Sequence, residues 1–204
     1  MSRIAILVLA AGRGTRFGSE PKLLAPLDGR PLVRHAAEAA SACSLRPVIA
    51  VTGHEQEAVT AALAGLDITL VPNPAYAEGL STSLRAGFAA LPPDAEAVIV
   101  MLGDMPRIGP DLLDGIARAW REAGRPAALV PTWAGRRGNP VLLTTGLASE
   151  IAALSGDTGA GPLLRDRPDV VEWPAPAGTV ALDIDTPAAL AAAQASTTPS
   201  STAE

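Results

Sequence analysis

A chain of 204 residues, 48% hydrophobic and 18% charged, has the size and composition of one globular domain with a sizeable core. Its formal net charge of -5 and pI near 5.1 argue against nucleic acid or an anionic membrane surface as partner, so any anion site must be local. The single cysteine, Cys43, excludes an intramolecular disulfide and a cysteine-based zinc cage, and its alanine-rich surroundings suit a buried, inert thiol.

The first stretch, Ile4 to Ala11, is an apolar run that suits a buried parallel strand. Arg3 before it imitates a signal peptide, but GRGTRFG follows at once and makes a core strand the better reading. No run approaches the ~20 apolar residues that span a bilayer. A soluble, cytoplasmic protein is expected. The strand breaks at Gly12 into a loop carrying Gly14, Gly18, Arg13, Arg16 and Lys22. Glycines let backbone N–H groups approach an anion without a Cβ in the way, and the cations add charge, so a phosphorylated ligand is the natural occupant. A P-loop needs Lys and then Ser or Thr directly after its last glycine, whereas Ser19, Glu20 and Pro21 separate Gly18 from Lys22. A dinucleotide fingerprint begun at Gly12 needs its third glycine where Phe17 stands, which disfavours a nicotinamide-dependent oxidoreductase. The plain alternative is a basic surface turn.

Pro31 is placed to open a helix to about Cys43, with Leu32, Val33, Ala36 and Ala40 on its apolar stripe and His35 in a structural role. Pro47 to Thr52 reads as a second buried strand and Glu55 to Ala64 as a helix, completing a βαβ unit. His54 follows that strand with no histidine or acidic partner that would make it a base, and a structural hydrogen bond is the favoured role. Asp67 to Val71 makes a short strand ended by Pro72-Asn73-Pro74. Gly79, Ser81 and Ser83 then lead into a helix from about Ser81 to Leu91. Its N-terminal hydroxyls and N–H groups suit an anion or ribose as well as a plain serine cap.

Ala95 to Leu102 is the most hydrophobic interior strand and runs into Gly103-Asp104-Met105-Pro106. A carboxylate just past a central parallel strand sits where the crevice of such a sheet opens, although Gly and Pro around it also suit a turn. Pro110 to Ala123 reads as an amphipathic helix burying Leu112, Leu113, Ile116, Ala117 and Trp120, and Ala127 to Pro131 as a strand. TWAGRRGNPVLL and LSGDTGAGPLL, separated by a short helix from about Gly146 to Leu154, read as a small acceptor lobe over residues 133–165 carrying the pair Arg136-Arg137. Asp169 to Trp173 and Val180 to Ile184 read as late strands, the second followed by Asp185. Pro187 opens a helix through Ala193, and the tail 195–204 is expected to be disordered. The expected architecture is a single α/β domain over residues 1–194, Rossmann-like, with a mostly parallel twisted sheet and helices on both faces.

The loop LAAGRGTRFGSEPKLL resembles the signature of nucleotidyltransferases that activate small phosphorylated molecules with a nucleoside triphosphate. Within that superfamily the chain most resembles the molybdenum cofactor cytidylyltransferases and their relatives, from Ile4 to about Gln194. The segment Gly79 to Leu84 and the motifs GDMP, GNPV and GDTGAG extend the likeness. The resemblance implies a fold of the nucleotide-diphospho-sugar transferase type. It puts Leu9, Ala10, Ala11 and Gly12 against the base and Gly14, Thr15, Arg16 and Lys22 on the phosphates. Asn73, Gly79, Ser81 and Ser83 would contact the nucleotide, Asp104 and Asp185 would hold Mg2+, and Asn139, Pro140, Gly156 and Asp157 would face the acceptor. Arg16, Lys22 and Asp104 would be the catalytic residues. One departure stands out: relatives often carry Arg where this chain has Gly161.

The reaction so implied is attack of the molybdopterin phosphate on the α-phosphorus of CTP, transferring CMP and releasing pyrophosphate. It needs positioning and charge neutralisation more than a base or nucleophile, and none stands out in the sequence. Ala10-Ala11-Gly12 stands where the guanylyl relatives resemble one another in carrying Gly-Gly, and this favours cytosine. The alternatives are a guanylyl or other small-molecule nucleotidyltransferase, or a nucleotide-binding factor that delivers cofactor without turnover. The implied partners are CTP, the phosphorylated acceptor and a molybdoenzyme or its maturation chaperone, with no nucleic acid and no membrane.

Overall fold

The computed structural model describes residues 3–18, 20–176 and 184–195, without the side chain of Arg16. Its strands are β1 (Arg3–Ala10), β2 (Pro26–Leu27), β3 (Arg30–Pro31), β4 (Val48–Thr52), β5 (Thr69–Pro72), β6 (Ala95–Leu102), β7 (Ala128–Trp133), β8 (Arg136–Arg137), β9 (Val141–Thr144) and β10 (Val170–Pro174). The helices are α1 (Leu32–Ala42), α2 (Gln56–Ala62), α3 (Leu80–Ala89), α4 (Pro110–Glu122), α5 (Ala148–Ala152), α6 (Gly161–Leu164) and α7 (Pro187–Ala195).

One sheet of eight strands runs in the order β10-β7-β9-β6-β1-β4-β5, with β8 beside β7, and β2 and β3 form a separate hairpin. β1 is central and pairs in parallel with β4 and β6, β4 pairs in parallel with β5, and β9 is antiparallel to both β6 and β7. This is the expected α/β domain with a mostly parallel, twisted sheet. Side chains alternate across a strand, so Ile6 and Val8 enter one core with α1 and α4, while Leu7 and Leu9 enter a second with α3 and α5. Helices cover both faces, and for that reason β1 reads as an uninterrupted apolar run. Trp120 is fully buried in the first core and its indole N–H donates to the Pro126 carbonyl at 2.8 Å.

Two local details match the sequence reading. Cys43 is a buried thiol whose pKa burial raises. His35 donates from Nε2 to the Leu27 carbonyl at 2.8 Å, a structural bond. For His54 the bond described comes from the main chain, its backbone N–H donating to the Ala11 carbonyl at 3.1 Å, while its ring lies 5.9 Å from that of Tyr76.

Several elements differ: Pro31 belongs to β3 and precedes α1, which begins at Leu32, and β2, β8 and α6 stand where no element was expected. β5 begins later than expected and includes Pro72, opposite Thr52, because an edge strand tolerates a residue without an N–H donor. Within residues 133–165, Val141–Thr144 is built into the sheet as β9, inserted between β6 and β7. The strand expected at Val180 to Ile184 falls, except for Ile184, outside the described residues, as does the tail beyond Ala195, the last residue of α7.

Because β1, β4, β5 and β6 are parallel, their C-terminal ends fall on one edge in close register: Leu9 opposite Leu102, Ala10 opposite Thr52, Thr52 opposite Pro72. Three loop amides extend the row, Gly103 to Leu9, His54 to Ala11 and Asn73 to Thr52, each N–H donating to a carbonyl one strand over. The segments following all four strands therefore crowd around one opening.

Candidate active site

A cavity of about 530 Å³ occupies that edge. One wall is the glycine loop from Gly12 to Thr15, and the opposite wall is Tyr76 to Leu80 with Ser83 and Asp157. Leu9, Leu23 and Leu102 supply apolar lining, while Lys22, Asp104 and Asp185 also line the cavity.

Lys22 opens the short helical turn Lys22–Leu24, anchored by the buried side chain of Leu23. Gly14, in the left-handed region at φ 60°, passes directly over the lysine stem, and a Cβ there would stand 2.6 Å from Lys22 Cβ. Only glycine lets the loop lie this close. Lys22 is 8% exposed, and its Nζ lies 2.5 Å from Asp104 Oδ2 and 2.5 Å from Asp185 Oδ1. Burial pulls the ammonium pKa down, but Asp104 and then Asp185 outweigh it, so the value lies above the ordinary 10.5.

Asp104 follows β6 directly, and its carboxylate is largely buried, with Oδ1 accepting no hydrogen bond. Asp185 comes from the opposite end of the chain. The Ile184 N–H donates to the Asp104 carbonyl at 3.2 Å, which sets residue 185 beside Asp104. Ile184 also packs in a small apolar cluster with Phe17, Leu27, Leu32 and Ala193, so the glycine loop, the β2–β3 hairpin and α7 converge there. Phe17, standing where a dinucleotide fingerprint would have glycine, is the loop's apolar anchor.

On the other wall, the N–H groups that begin α3 already donate within the chain. Leu80 donates to Asp157 Oδ1 at 3.3 Å, Ser81 to the Gly156 carbonyl at 3.2 Å and Thr82 to the Gly79 carbonyl at 3.2 Å. This helix terminus is thus capped by the loop around Gly156 and Asp157 and does not present open amides, contrary to an anion site there. Asn73 is a buried hub beneath the wall: Nδ2 donates to Thr82 Oγ1 at 2.8 Å and Ser83 Oγ at 3.0 Å, and Oδ1 accepts from the Ala75 N–H at 3.1 Å.

Of the residues singled out in the sequence, the structure gathers Leu9, Ala11, Gly12, Gly14, Thr15, Lys22, Gly79, Ser83, Asp104, Asp157 and Asp185 at the cavity. Ala10, Asn73 and Ser81 are buried and outside its lining, and Ser81 Oγ makes no hydrogen bond. Asn139 and Pro140, joined by a cis peptide bond, also lie outside it, and Gly156 stands behind Gly79. The Arg16 side chain lies outside the described part of the structure. Tyr76 and Glu78 also line the cavity and are not marked by any motif in the sequence. Their signal was the position of Tyr76, the chain's one tyrosine, between the strand end Pro72-Asn73-Pro74 and Gly79.

Residues 6–171 match the family described as the MobA-like NTP transferase domain. The chain belongs to this family. Among curated relatives of this NTP transferase domain is the bifunctional protein GlmU of Micrococcus luteus, 34% identical over 176 residues, 82% of this chain but 31% of that protein. The chain spans about a third of the length of the GlmU proteins it matches. Nicotine blue oxidoreductase of Paenarthrobacter nicotinovorans is 32% identical over 171 residues, 81% of this chain and 83% of that protein. Among solved structures, Rv0371c of Mycobacterium tuberculosis superposes with a TM-score of 0.81 at 28% identity, covering 95% of this chain and 98% of the other. That protein has also been crystallised as a complex with manganese. Among the described residues no helix is long and apolar enough to cross a membrane.

Proposed function

We propose that this NTP transferase domain moves a nucleoside monophosphate from a nucleoside triphosphate onto the phosphate of a small-molecule acceptor of the molybdopterin class, releasing pyrophosphate. The observation that carries this reading is the meeting of Lys22, Asp104 and Asp185 at one point of the cavity beneath the glycine loop. The finer reading is CMP transfer from CTP, with a guanylyl or other small-molecule transferase as its nearest alternative.

The donor set fits a divalent cation. Asp104 Oδ1 is a buried carboxylate oxygen with no donor, and Asp104 and Asp185 present hard oxygen ligands of the kind magnesium prefers. Among the described residues no cluster of three or more metal-binding side chains exists, so ligand and water oxygens would complete the shell. The manganese complex of the Rv0371c relative supports a divalent ion in this fold. Such an ion supplies charge neutralisation and Lewis-acid polarisation at the α-phosphate.

The remaining work falls to the chain itself. The exposed Gly12 to Thr15 backbone offers a wall without bulky side chains to the triphosphate, with Arg13 beside it as a cation. Lys22 supplies a positive charge that favours the leaving pyrophosphate. The Asn73 hub and the Gly156–Asp157 cap hold the opposite wall rigid, and a rigid wall is what in-line positioning of two phosphates requires.

The test is a panel of CTP, GTP, ATP and UTP with magnesium, read by thermal shift and then by pyrophosphate release with a phosphorylated pterin acceptor. A binding nucleotide raises the melting temperature by linkage, and pyrophosphate release separates a transferase from a delivery factor. A second reading, an oxidoreductase using the same crevice, is favoured by the likeness to nicotine blue oxidoreductase over 83% of that protein. Phe17 in place of the third fingerprint glycine argues against it. NAD(P)H in the same panel decides between them.

A further inference from the structure

We infer that Lys22 and a divalent cation are alternative occupants of the Asp104–Asp185 carboxylate pair, so that the lysine must leave the pair before metal can bridge it. The inference rests on the reading above that these carboxylates hold a metal.

Nζ lies 2.5 Å from an oxygen of each carboxylate, which places the ammonium at the point where a cation shared by both would sit. A magnesium ion needs oxygens at about 2.0–2.1 Å. A cation shared by these same oxygens would therefore lie almost upon the ammonium, in a pocket where Lys22 and Asp104 are both largely withdrawn from water and their charges are poorly screened. A cation on Asp104 Oδ1 alone would leave Asp185 to the lysine and forgo the second ligand.

The loop confines what the lysine can do about this. Gly14 lies on the stem, within 3.3 Å of Lys22 Cδ for a Cβ placed at that glycine, so the stem has no room to swing away on that side. The end of the side chain keeps its freedom, and the cavity lined by Arg13, Gly14 and Thr15 adjoins it. An anion there offers the ammonium a second partner. The arrangement is a two-position cation: on the carboxylates without a triphosphate, on the phosphates with one. Metal and triphosphate then strengthen each other's binding reciprocally, since each removes the competitor of the other.

The inference is tested on the nucleotide-free protein with Mn2+, followed by the loss of its free-ion EPR signal. Removing the lysine charge should tighten Mn2+ binding, on the order of 5- to 150-fold for a coupling of ordinary size. Lys22→Met and Lys22→Gln are both measured, with far-UV circular dichroism as the check on folding; the glutamine keeps polar contact if the methionine variant does not fold. Adding Asp104→Asn to either variant should abolish the gain. Binding no tighter than in the unsubstituted protein overturns the inference, as does a gain that survives Asp104→Asn. If tightening is seen while no triphosphate gives pyrophosphate, the cation exchange stands and the transferase reading falls.

Discussion

Lys22 and Asp185 are 163 residues apart in the chain, and Lys22 Nζ lies 2.5 Å from Asp185 Oδ1. The contact closes the domain: the loop after the first strand meets the segment before the last helix, and Asp104, from the end of the central β6, completes the group. Apolar contacts of Phe17 with Ile184 and Ala193 hold both ends in place. The site is therefore assembled from three distant parts of the sequence: the loop after β1 and the end of β6 reach the same sheet edge by parallel topology, and the Ile184 N–H bond to the Asp104 carbonyl brings in Asp185.

Loss of the lysine leaves Asp104 buried without its cation. Breaking a buried pair in this way costs about 3–5 kcal/mol, and Lys22→Met is expected to unfold at correspondingly lower urea. The pH dependence has a definite sign. Lys22 has a raised folded-state pKa, so its contribution is full below the ordinary 10.5 and is lost as pH rises through the folded value. The difference in urea midpoint between the unsubstituted protein and Lys22→Met should therefore narrow in the alkaline range. A gap that stays constant there would show that the pair contributes nothing through ionisation.

Substitution of the carboxylates separates two kinds of role. Asp104→Asn and Asp185→Asn are each expected to fold and to lose magnesium-dependent turnover. Asp183, which lies outside the described residues, is expected to tolerate Asp183→Asn with more activity retained. Magnesium titrations of initial rate check this. Wild-type magnesium dependence in Asp185→Asn would leave Asp104 to act with other ligands.

The wall opposite the glycine loop depends on Gly79. Its φ of 115° and ψ of 174° are a conformation essentially reserved for glycine, and a Cβ would stand 2.3 Å from the Gly156 carbonyl carbon. Gly79→Ala should cost at least about 1–3 kcal/mol from backbone strain alone and should also lower turnover, because the Gly156–Asp157 cap of α3 must shift. Gly161→Ala, with open space around the glycine, is the control and should leave the melting temperature nearly unchanged. Equal melting temperatures for the two variants would remove the structural argument.

Much of this was legible in the sequence because it follows from local pattern. Ala95–Leu102 is apolar, bounded by a turn and long enough to be unambiguous, and it forms β6 over the expected residues. Asp104, two residues past the end of β6, could be placed at the sheet edge for the same reason. β9 was hidden: four residues, Val141–Thr144, carry too little periodicity to distinguish a strand from a loop, and their place between β6 and β7 is a matter of long-range pairing. The capping of α3 by Gly156 and Asp157, some 77 residues away, was equally invisible, since hydroxyls at a helix start read the same whether its amides are open or filled. Nor does spacing reveal that Lys22 sits on the carboxylates, because a lysine in a glycine loop suits phosphate and aspartate alike.

In the cytidylyl reading proposed above, base choice turns on the methyl group of Ala11. Ala11 lines the cavity, its carbonyl fixed by the His54 N–H. A methyl there narrows the space for a purine, and discrimination on this scale is worth ~1–3 kcal/mol. The expected outcome is a higher kcat/KM for CTP than for GTP, and a shift toward GTP in Ala11→Gly. A preference for GTP in the unsubstituted enzyme would contradict the cytidylyl reading and leave the guanylyl one.

In the proposed reaction an acceptor phosphate attacks the α-phosphorus at the Lys22–Asp104–Asp185 site. The most direct measurement follows label from CTP carrying 32P at either the α or the γ position, with magnesium and a phosphorylated pterin acceptor. The α-label is expected in the acceptor while the γ-label leaves as pyrophosphate, and Asp104→Asn is expected to abolish both. Release of γ-label as orthophosphate, or retention of α-label in free nucleotide while NAD(P)H is oxidised, would contradict that reaction.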